Sequence, residues 1–549
     1  MRPTPTGSQK FRFKNDQSIG SIEAETDKRA LKGAFIDTGD LASLLRTDNP
    51  KCVVVGRTGA GKSALLLTVE DREERVYRLD PASLAIRYLT NSTIIPQLTK
   101  LGVRLGPFYQ LLWQHVLLTE VIKQHFHLDT YAAEKTWLEK LGFRKEPERK
   151  KRALEYYRSF SPEFWQSAEV RAREITEKIF NNVEAKIGPE TVASLKGGVS
   201  LESAKRDQIT ERVQAIVGEI SIERMQDGFA ILRDDILVDD QKRYYIVIDD
   251  LDKDWIELAH AYDLIDALLE VVNKFAALDN IKIIVALREN IIAALQKRRN
   301  LQSQQREKQR NLFLRLSWSD FFLKKIVDER IRTMIHGHYG GPISLEALLP
   351  AARKRDGREA IDWVLERTYR RPRDIIHFVN TLLSVAAEQS RSSIAWETMS
   401  DAAKRYSIAV RDSLEDEWQT NYSGLRLVFD AFRGVEDGFT LDSIDDARLD
   451  PIIAEGIRQA DTDSRDPTSL PLLVSSLLAE DAPRNDVWEM VLLALYQVGF
   501  LGIKRGATER VVFAYENPDA ALDEAPDGAR WYIHPALYEV LAIANPARA

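Results

Sequence analysis

The sequence predicts an α/β protein built on a parallel sheet, with a large helical insertion, a helical lid and a C-terminal winged-helix-like domain. Short continuous apolar runs, such as KCVVV (51–55) and YYIVID (244–249), fit strands that are buried on both faces. Helical patterns alternate with these runs, an order typical of α/β folds. Near the end of the chain, a helical pattern precedes three short strand-like runs, which is the order of a winged helix.

The length and composition of the chain exclude several classes of protein. A chain of 549 residues exceeds one hydrophobic core, so we expect several folding units. One cysteine, Cys52, excludes a disulfide framework and a cysteine-based zinc site. Neither a run of about 18 apolar residues nor an N-terminal apolar signal segment occurs, so we expect a cytoplasmic protein without membrane contact.

Five strand patterns place the sheet within the chain. Two lie near the N-terminus, KCVVV and RVYRLD (75–80). Three lie more than 150 residues later, namely YYIVID, IKIIVAL (281–287) and LFLRLSW (312–318). The long stretch between the two groups is mostly helical in pattern, which predicts a helical insertion into the sheet-forming core.

Shifts in pattern predict six segments. They are an N-terminal lead (1–48), the first part of the α/β core (49–100), the helical insertion (101–236), the second part of the core (237–320), a further helical segment (321–412) and the winged-helix-like domain (413–549). From Glu415 onward there are 11 Lys or Arg against 25 Asp or Glu, a net charge of −14. Because DNA binding depends on neutralising phosphates, this acidity disfavours the last segment as a DNA-binding surface.

The first strand leads directly into GRTGAGKS (56–63), which matches the pattern G-x-x-x-x-G-K-[ST]. Its glycines allow successive main-chain N–H groups to point at phosphate oxygens, and the following helix adds its positive N-terminal end. Lys62 would bridge the β- and γ-phosphates, and the Ser63 hydroxyl would bind Mg²⁺. We therefore predict that a Mg²⁺–nucleotide binds to Gly56, Arg57, Thr58, Gly59, Ala60, Gly61, Lys62 and Ser63.

Three carboxylates, Asp249, Asp250 and Asp252, occur within four positions at the end of the third strand. Such negative charge beside a buried strand requires a counter-charge, which Mg²⁺ would supply. Asp249 would bind the metal through a water molecule, and Asp250 would orient or deprotonate the water that attacks the γ-phosphate. Asp252 would instead cap a helix that starts near Trp255.

Two arginines are candidates for sensing the nucleotide. Arg288 ends the fourth strand, at the sheet edge where nucleotides bind, and would contact the γ-phosphate or the aspartate pair; local pairing with Glu289 is the alternative. Arg373, in RRPRD (370–374), lies in the first turn of a helix, where the helix dipole disfavours a cation. This position indicates an anionic partner, either the phosphates or Asp374.

Together, GRTGAGKSALL, DDLDKDW, the strand ending in Arg288 and RRPRD resemble bacterial P-loop ATPases of the KAP and STAND kind, relatives of the AAA+ class. The resemblance implies that residues 56–63 form the Walker A loop, that Asp249 and Asp250 form the Walker B pair and that the helical segment 321–412 is the lid that follows the core. It implies catalytic roles for Asp250, Arg288 and Arg373, the two arginines being the first and second sensors. ATP and Mg²⁺ are the implied ligands, with Ser63 and Asp249 at the metal.

The resemblance also implies a function. Such proteins act as switches through nucleotide-dependent lid movement and self-association, and many serve in prokaryotic defence against phage. No effector or repeat array is evident here, so we expect a homo-oligomer that acts through a separate effector protein. The alternative is an initiator-type DNA-binding ATPase, with a basic face around Lys504, Arg505 and Arg510. Nucleotide binding without turnover is a third possibility, which the presence of both Asp249 and Asp250 disfavours.

Overall fold

The computed structural model describes most of the chain outside the predicted insertion. The described residues are 13–14, 17–24, 26–27, 31, 33–79, 81, 105–125, 152–153, 181, 185, 228–239, 241–251, 258–299, 311–335, 344–461, 466–506, 508–517 and 529–543. In these ranges, no helix combines the length and the apolar character that crossing a membrane requires.

The chain divides into two compact units. The sheet unit comprises the described residues within Gly39–Gly56 and Leu65–Leu316. The helical unit comprises the described residues within Met1–Thr38, Arg57–Ala64 and Ser317–Ala549. Most of the glycine-rich loop therefore belongs to the helical unit, although the strand that precedes it belongs to the sheet unit.

The sheet unit alternates strands with helices. Its elements are α1 (Asp40–Leu45), β1 (Val53–Gly56), α2 (Lys62–Arg72, which begins in the helical unit), β2 (Val76–Leu79), α3 (Gly106–His125), a π-helical turn (Leu232–Ile236), β3 (Tyr244–Ile248), α4 (Leu258–Phe275), β4 (Ile281–Arg288), α5 (Glu289–Arg299) and β5 (Phe313–Arg315). The strands form one parallel sheet in the order β2-β3-β4-β1-β5. The predicted α/β fold with a parallel sheet is confirmed.

The apolar strand patterns correspond to burial on both faces of this sheet. Every residue of β1 and β3 is buried, as is every residue of β4 except Arg288. The helices α3 and α4 share a hydrophobic core with these strands, and the Trp113 indole in α3 donates to the Leu264 carbonyl in α4 at 2.9 Å. Because α3 lies in the segment predicted as the insertion, the start of that segment belongs to the core. Most of its remainder lies outside the described residues.

A buried lysine ties the segment before β1 to the sheet. Lys282 in β4 is 4% exposed, and its Nζ donates to the carbonyls of Ser43, Arg46 and Asn49 at 2.6–3.0 Å. Burial lowers the pKa of this ammonium group to about 8. The three carbonyls lie in or just after α1, so the chain enters β1, and then the glycine-rich loop, from a fixed position.

The helical unit contains the predicted lid and the C-terminal segment. Its elements are α6 (Asp320–Ile335), α7 (Leu345–Leu348), α8 (Ala360–Glu366), α9 (Pro372–Glu388), α10 (Trp396–Trp418), α11 (Leu425–Ala431), 3₁₀ turns (Leu441–Ser443 and Asp446–Leu449), α12 (Asp450–Ala460), α13 (Leu470–Ala479), α14 (Arg484–Val498), β6 (Leu501–Lys504), β7 (Val512–Phe513), β8 (Arg530–Ile533), a 3₁₀ turn (Pro535–Leu537) and α15 (Tyr538–Leu541). The three strands form an antiparallel sheet in the order β7-β6-β8. The predicted order of helices followed by short strands is present.

Part of the N-terminal lead packs on two helices of this unit. The Ile19 N–H donates to Asn380 Oδ1 at 2.9 Å, and the Asn380 amide donates to the Gly20 carbonyl at 3.0 Å. Arg330 forms a buried ion pair with Asp27 at 2.6 Å. Because Asn380 lies in α9 and Arg330 lies in α6, the lead joins both helices.

Candidate functional site

The loop after β1 turns at two glycines and leads directly into a helix. Gly59 and Gly61 have φ values of 79° and 96°, in the left-handed region that residues with a Cβ atom avoid. The helix α2 begins at Lys62, immediately after the second of these glycines. The loop thus leads to the N–H groups at the start of a helix, which stabilise an anion. The Lys62 ammonium donates to the Arg57 carbonyl at 3.1 Å, so it lies across the loop.

The middle of the loop contacts the first turn of α9. The Arg373 N–H donates to the Gly59 carbonyl at 3.3 Å. A Cβ atom added to Gly59 would lie 2.4 Å from the Cβ atom of Arg373. The structure thus brings the predicted second sensor, Arg373, against the predicted loop, while its role in sensing a nucleotide stays a prediction.

Gly59→Ala is expected to destabilise the protein by about 2 kcal/mol or more, because the methyl group adds a steric clash to the cost of a left-handed φ. Chemical denaturation measures the loss. The matched control is Gly357→Ala, where φ is 69° but no heavy atom of a non-neighbouring residue lies within 4 Å of the added methyl group. Equal losses in the two variants would mean that the contact between loop and helix is not a tight one.

Trp318 supports the loop from the segment that precedes α6. Its indole N–H donates to the Ala60 carbonyl at 2.8 Å, and its ring lies 3.4 Å from the position of a Cβ atom on Gly61. No motif in the sequence includes this residue. Its only signal is its place at the end of the run LFLRLSW.

The side chain of Arg57 is buried and contacts other residues of the helical unit, so it does not bind phosphate in this conformation. It is 7% exposed, its Nη2 donates to the Val498 carbonyl at 2.9 Å, and its guanidinium lies 4.8 Å from the centre of the Tyr369 ring. The Tyr369 ring in turn stacks on His534, with 3.9 Å between ring centres. The predicted role of Arg57 in binding phosphate can therefore concern only its main chain in this conformation.

A buried glutamate, Glu417 at the end of α10, contacts the loop directly. Its Oε1 accepts the N–H of Thr58 at 2.9 Å, and its Oε2 accepts a hydrogen bond from Arg371 at 3.2 Å and lies 3.8 Å from Arg57. Burial alone would raise the pKa of this carboxyl group, but the charges of Arg57 and Arg371 outweigh burial and lower the pKa to about 2. Glu417 is thus an ionised acid within the helical unit.

Arg371, two positions before Arg373, also contacts the loop with its side chain. Its Nη1 donates to the Thr58 carbonyl at 2.7 Å, and its Nε donates to Asp374 at 2.6 Å. Burial would lower the pKa of Arg371, but Asp374 and Glu417 raise it. The sequence predicts the phosphates or Asp374 as the partner of Arg373; in the structure, the Asp374 carboxylate accepts hydrogen bonds from Arg371.

Within the sheet unit, the predicted residues Asp249 and Arg288 both lie at the carboxyl ends of the strands. The parallel register pairs Gly56, the last residue of β1, with Arg288, the last residue of β4. The strand β3 lies on the other side of β4, and Asp249 follows its last residue. The carboxyl ends of three neighbouring strands therefore bring together the start of the loop, the arginine and the first aspartate.

Asp249 is 7% exposed and lies next to a cation that the sequence analysis missed. Its Oδ2 is 3.4 Å from Arg78 in β2, which also forms an ion pair with Glu70 at 2.8 Å. Burial would lower the pKa of Arg78, but these two acids raise it. Arg78 provides part of the counter-charge that the run of aspartates requires.

Asp250 has an unusual backbone conformation. Its φ is 61°, in the left-handed region, and its N–H donates to Asp249 Oδ1 at 2.9 Å. Strained backbone of this kind is concentrated at functional sites, and Asp is among the few residues that tolerate it. Asp252 and Trp255, near which the predicted helix would start, lie outside the described residues; the helix α4 begins at Leu258.

Each unit, taken by itself, contains groups of the kind that bind nucleotides or metal ions. The helical unit has a glycine turn with two left-handed positions that ends on a helix N-terminus and includes Lys62 and Ser63. The sheet unit has a buried carboxylate, Asp249, and an arginine at the edge where the strands end. Mg²⁺ in nucleotide sites is held by one or two protein oxygens together with phosphate oxygens, and the Ser63 hydroxyl in the helical unit and the Asp249 carboxylate in the sheet unit are each oxygen donors of this kind.

One segment of the helical unit is similar to a known protein family. Residues 322–415 match the family of the FunZ-associated C-terminal helical domain. The matched range coincides closely with the segment predicted as the lid. It includes Arg371 and Arg373 and ends two residues before Glu417.

Two individual proteins resemble the chain over most of its length. One is an Escherichia coli (strain K12) protein of 80.3 kDa named after transposon gamma-delta, with 24% identity over 542 residues; the match covers 95% of this chain and 66% of that protein, slightly less than two thirds of its length. The other is the solved structure of a Walker-type ATPase of Pyrococcus abyssi. It has 12% identity and a TM-score of 0.33, with 93% of this chain and 96% of that chain covered. This TM-score is too low to support an inference.

Proposed function

We propose that the protein is an ATP-binding and ATP-hydrolysing molecular switch. The observation that supports this most directly is the loop GRTGAGKS, which follows a buried parallel strand, has left-handed glycines at 59 and 61, and leads to a helix that begins at Lys62. This combination of residue types and backbone conformation is suited to binding a chain of phosphates. The finer resemblance to KAP and STAND ATPases is part of the proposal.

The loop residues bind and orient the phosphates in this proposal. Main-chain N–H groups at the start of α2 point toward the phosphate oxygens, and Lys62 bridges the β- and γ-phosphates. Ser63 and Asp249 would hold Mg²⁺, which when bound neutralises phosphate charge. Lys62 must exchange its hydrogen bond with the Arg57 carbonyl for the phosphates, so nucleotide binding changes a contact inside the loop.

Asp250 and two arginines perform the hydrolytic step in this proposal. Asp250 orients the attacking water and accepts its proton, with its carboxylate aimed by a backbone fixed at a φ of 61°. Arg288 stabilises negative charge on the γ-phosphate from the end of β4. Arg373 senses the nucleotide from the first turn of α9, where its main chain already contacts Gly59.

The experiment that tests this function is a phosphate-release assay on the full chain. We expect Mg²⁺-dependent hydrolysis of ATP at a modest rate, because several separate charges have to be assembled for the step. Chelating Mg²⁺ with EDTA should stop it. GTP under the same conditions tests the preference for ATP, and a chain that binds no nucleotide at all would refute the proposal.

Self-association driven by the nucleotide is a further part of the proposal, together with a separate effector protein and a role in defence against phage. We expect a non-hydrolysable ATP analogue with Mg²⁺ to raise the particle mass from 62.6 kDa to at least twice that value. Mass photometry measures the change. Lys62→Ala, which should not bind the analogue, is the control. An unchanged mass in the wild-type chain saturated with analogue would remove self-association from the proposal.

DNA binding by the C-terminal segment is the second candidate. The order of helices followed by the β7-β6-β8 sheet favours it, since a winged helix is built in that order. The net charge of −14 disfavours it, and Arg510 in the predicted basic face forms an ion pair with Glu516 at 2.8 Å. DNA-binding titrations at rising salt separate the cases, because real phosphate contacts weaken steeply with salt. Absent or salt-independent binding would make this a protein-contact domain.

A further inference from the structure

We infer that Glu417 is a positioning residue for nucleotide binding, which fixes the first half of the phosphate loop by holding the main chain of Thr58. The inference rests on the proposed ATP-binding function. It assigns to the end of α10 a role that no sequence motif indicates. All the residues involved belong to the helical unit.

Both main-chain polar atoms of Thr58 are bound by distant side chains. Glu417 Oε1 accepts the Thr58 N–H at 2.9 Å, and Arg371 Nη1 donates to the Thr58 carbonyl at 2.7 Å. Glu417 and Arg371 are themselves joined at 3.2 Å. The peptide groups on the two sides of Thr58 therefore have fixed orientations, which sets the direction in which the chain enters Gly59.

Glu417 and Arg371 together anchor the main chain of Thr58. This anchor is rigid because its charged groups are buried and paired. Glu417 is 5% exposed and Arg371 is 6% exposed. The two arginines, Arg57 and Arg371, are balanced by the two acids, Glu417 and Asp374. Hydrogen bonds between ionised groups shielded from water are stronger than those at the surface, so the cluster resists displacement.

The loop conformation held by this anchor is the one that binding requires. The left-handed glycines at 59 and 61 follow directly after Thr58, and their N–H groups belong to the part of the motif that surrounds phosphate. Without the anchor, the first half of the loop samples other conformations, and ATP binding has to restore the original one. The cost of that ordering reduces affinity for the nucleotide rather than stability of the fold.

The test uses two double variants, of which only one has a side chain at position 417 that can accept a hydrogen bond from the Thr58 N–H. Removing Glu417 alone would leave Arg57 buried without its counter-charge, which can unfold the chain. Each variant therefore also contains Arg57→Met. In the first, Glu417→Gln keeps an oxygen that can accept the Thr58 N–H; in the second, Glu417→Leu does not. Glu415→Gln, two residues earlier in α10 and paired with Arg426, is the matched control.

The measurement is the Kd for ATP of the full-length folded chain, well below its unfolding temperature. We expect the variant with leucine to bind about tenfold more weakly than the variant with glutamine, the effect of one hydrogen bond to a fixed main-chain donor. Glu415→Gln should bind like the wild type. Equal Kd values for the two folded double variants would overturn the inference, because a purely structural role changes the unfolding temperature and not the affinity of the folded protein.

A second measurement needs no variant. In the nucleotide-free wild-type chain, hydrogen exchange at the Thr58 amide should be slow, since the anchor exists before ATP binds. Fast exchange at this amide would overturn the inference, whatever the variants show. A wild-type chain that has a protected Thr58 amide but binds no ATP would instead contradict the proposed function.

Discussion

Lys62→Ala is expected to abolish ATP binding, raising the Kd by about a hundredfold or more. The ammonium group supplies the positive charge closest to the β- and γ-phosphates in the proposed site, and a charge-assisted hydrogen bond is roughly twice as strong as a neutral one. Isothermal titration calorimetry with ATP and Mg²⁺ measures the change. Hydrolysis should fall with binding, because a nucleotide that does not bind is not turned over.

The effect should be specific to the loop and leave the fold intact. The lysine donates a hydrogen bond to the Arg57 carbonyl, a contact worth about 1 kcal/mol, and alanine is a good helix former, so circular dichroism should show an unchanged helix content. Lys51→Ala is the matched control, since Lys51 precedes the buried run of β1 and is exposed. If Lys62→Ala bound ATP as tightly as the control, the assignment of residues 56–63 as the nucleotide loop would be wrong.

Local patterns in the sequence predict the sheet and the loop because both depend on neighbouring residues. A continuous run of β-branched residues is typical of a strand buried on both faces of a parallel sheet. The glycine spacing in GRTGAGKS determines where the backbone can turn. The five predicted strands and the helix after the loop are therefore present in the structure. Parallel strands share one direction, so the sequence also predicts that Asp249 and Arg288, which lie at the ends of their strands, are on the same side of the sheet.

The contacts that hold the loop could not be predicted in this way. Glu417 is 359 residues from Thr58, and Arg371 is 313 residues from it. No periodicity connects such positions, and in the sequence Glu417 is one of several acids at the end of a charged helix. The contacts of the Arg57 side chain could not be predicted either. Its motif position next to glycine predicts contact with solvent or phosphate, whereas the fold buries its side chain against Val498 and Tyr369.

The predicted insertion shows a different limit. Helical patterning predicts α3 correctly as a helix, but it does not indicate which surface that helix covers. Trp113 packs against α4, so α3 is part of the core that supports the sheet. A boundary between core and insertion depends on tertiary contacts, which the pattern of one helix does not encode.

Asp250→Asn is expected to leave ATP binding intact and to reduce hydrolysis by about a hundredfold or more, the usual contribution of a positioned general base. An asparagine can still hydrogen-bond to water but cannot accept its proton, so ATP should stay bound. The substitution suits this backbone because Asn, like Asp, tolerates the φ of 61° found at this position. A change to alanine would add backbone strain and mix two effects.

Single-turnover hydrolysis and ATP-binding titrations, measured on the same preparation, separate chemistry from affinity in this variant. Asp249→Asn is the informative comparison, because the buried acid is proposed to hold Mg²⁺ and its loss should weaken Mg²⁺-dependent binding itself. The two adjacent aspartates should therefore give opposite profiles: binding without turnover for Asp250→Asn, and weakened binding for Asp249→Asn. Equal hydrolysis rates in wild type and Asp250→Asn would remove Asp250 from the catalytic step. Equal profiles in the two variants would show that the pair acts only as a charged unit beside Arg78, which already contacts Asp249 at 3.4 Å.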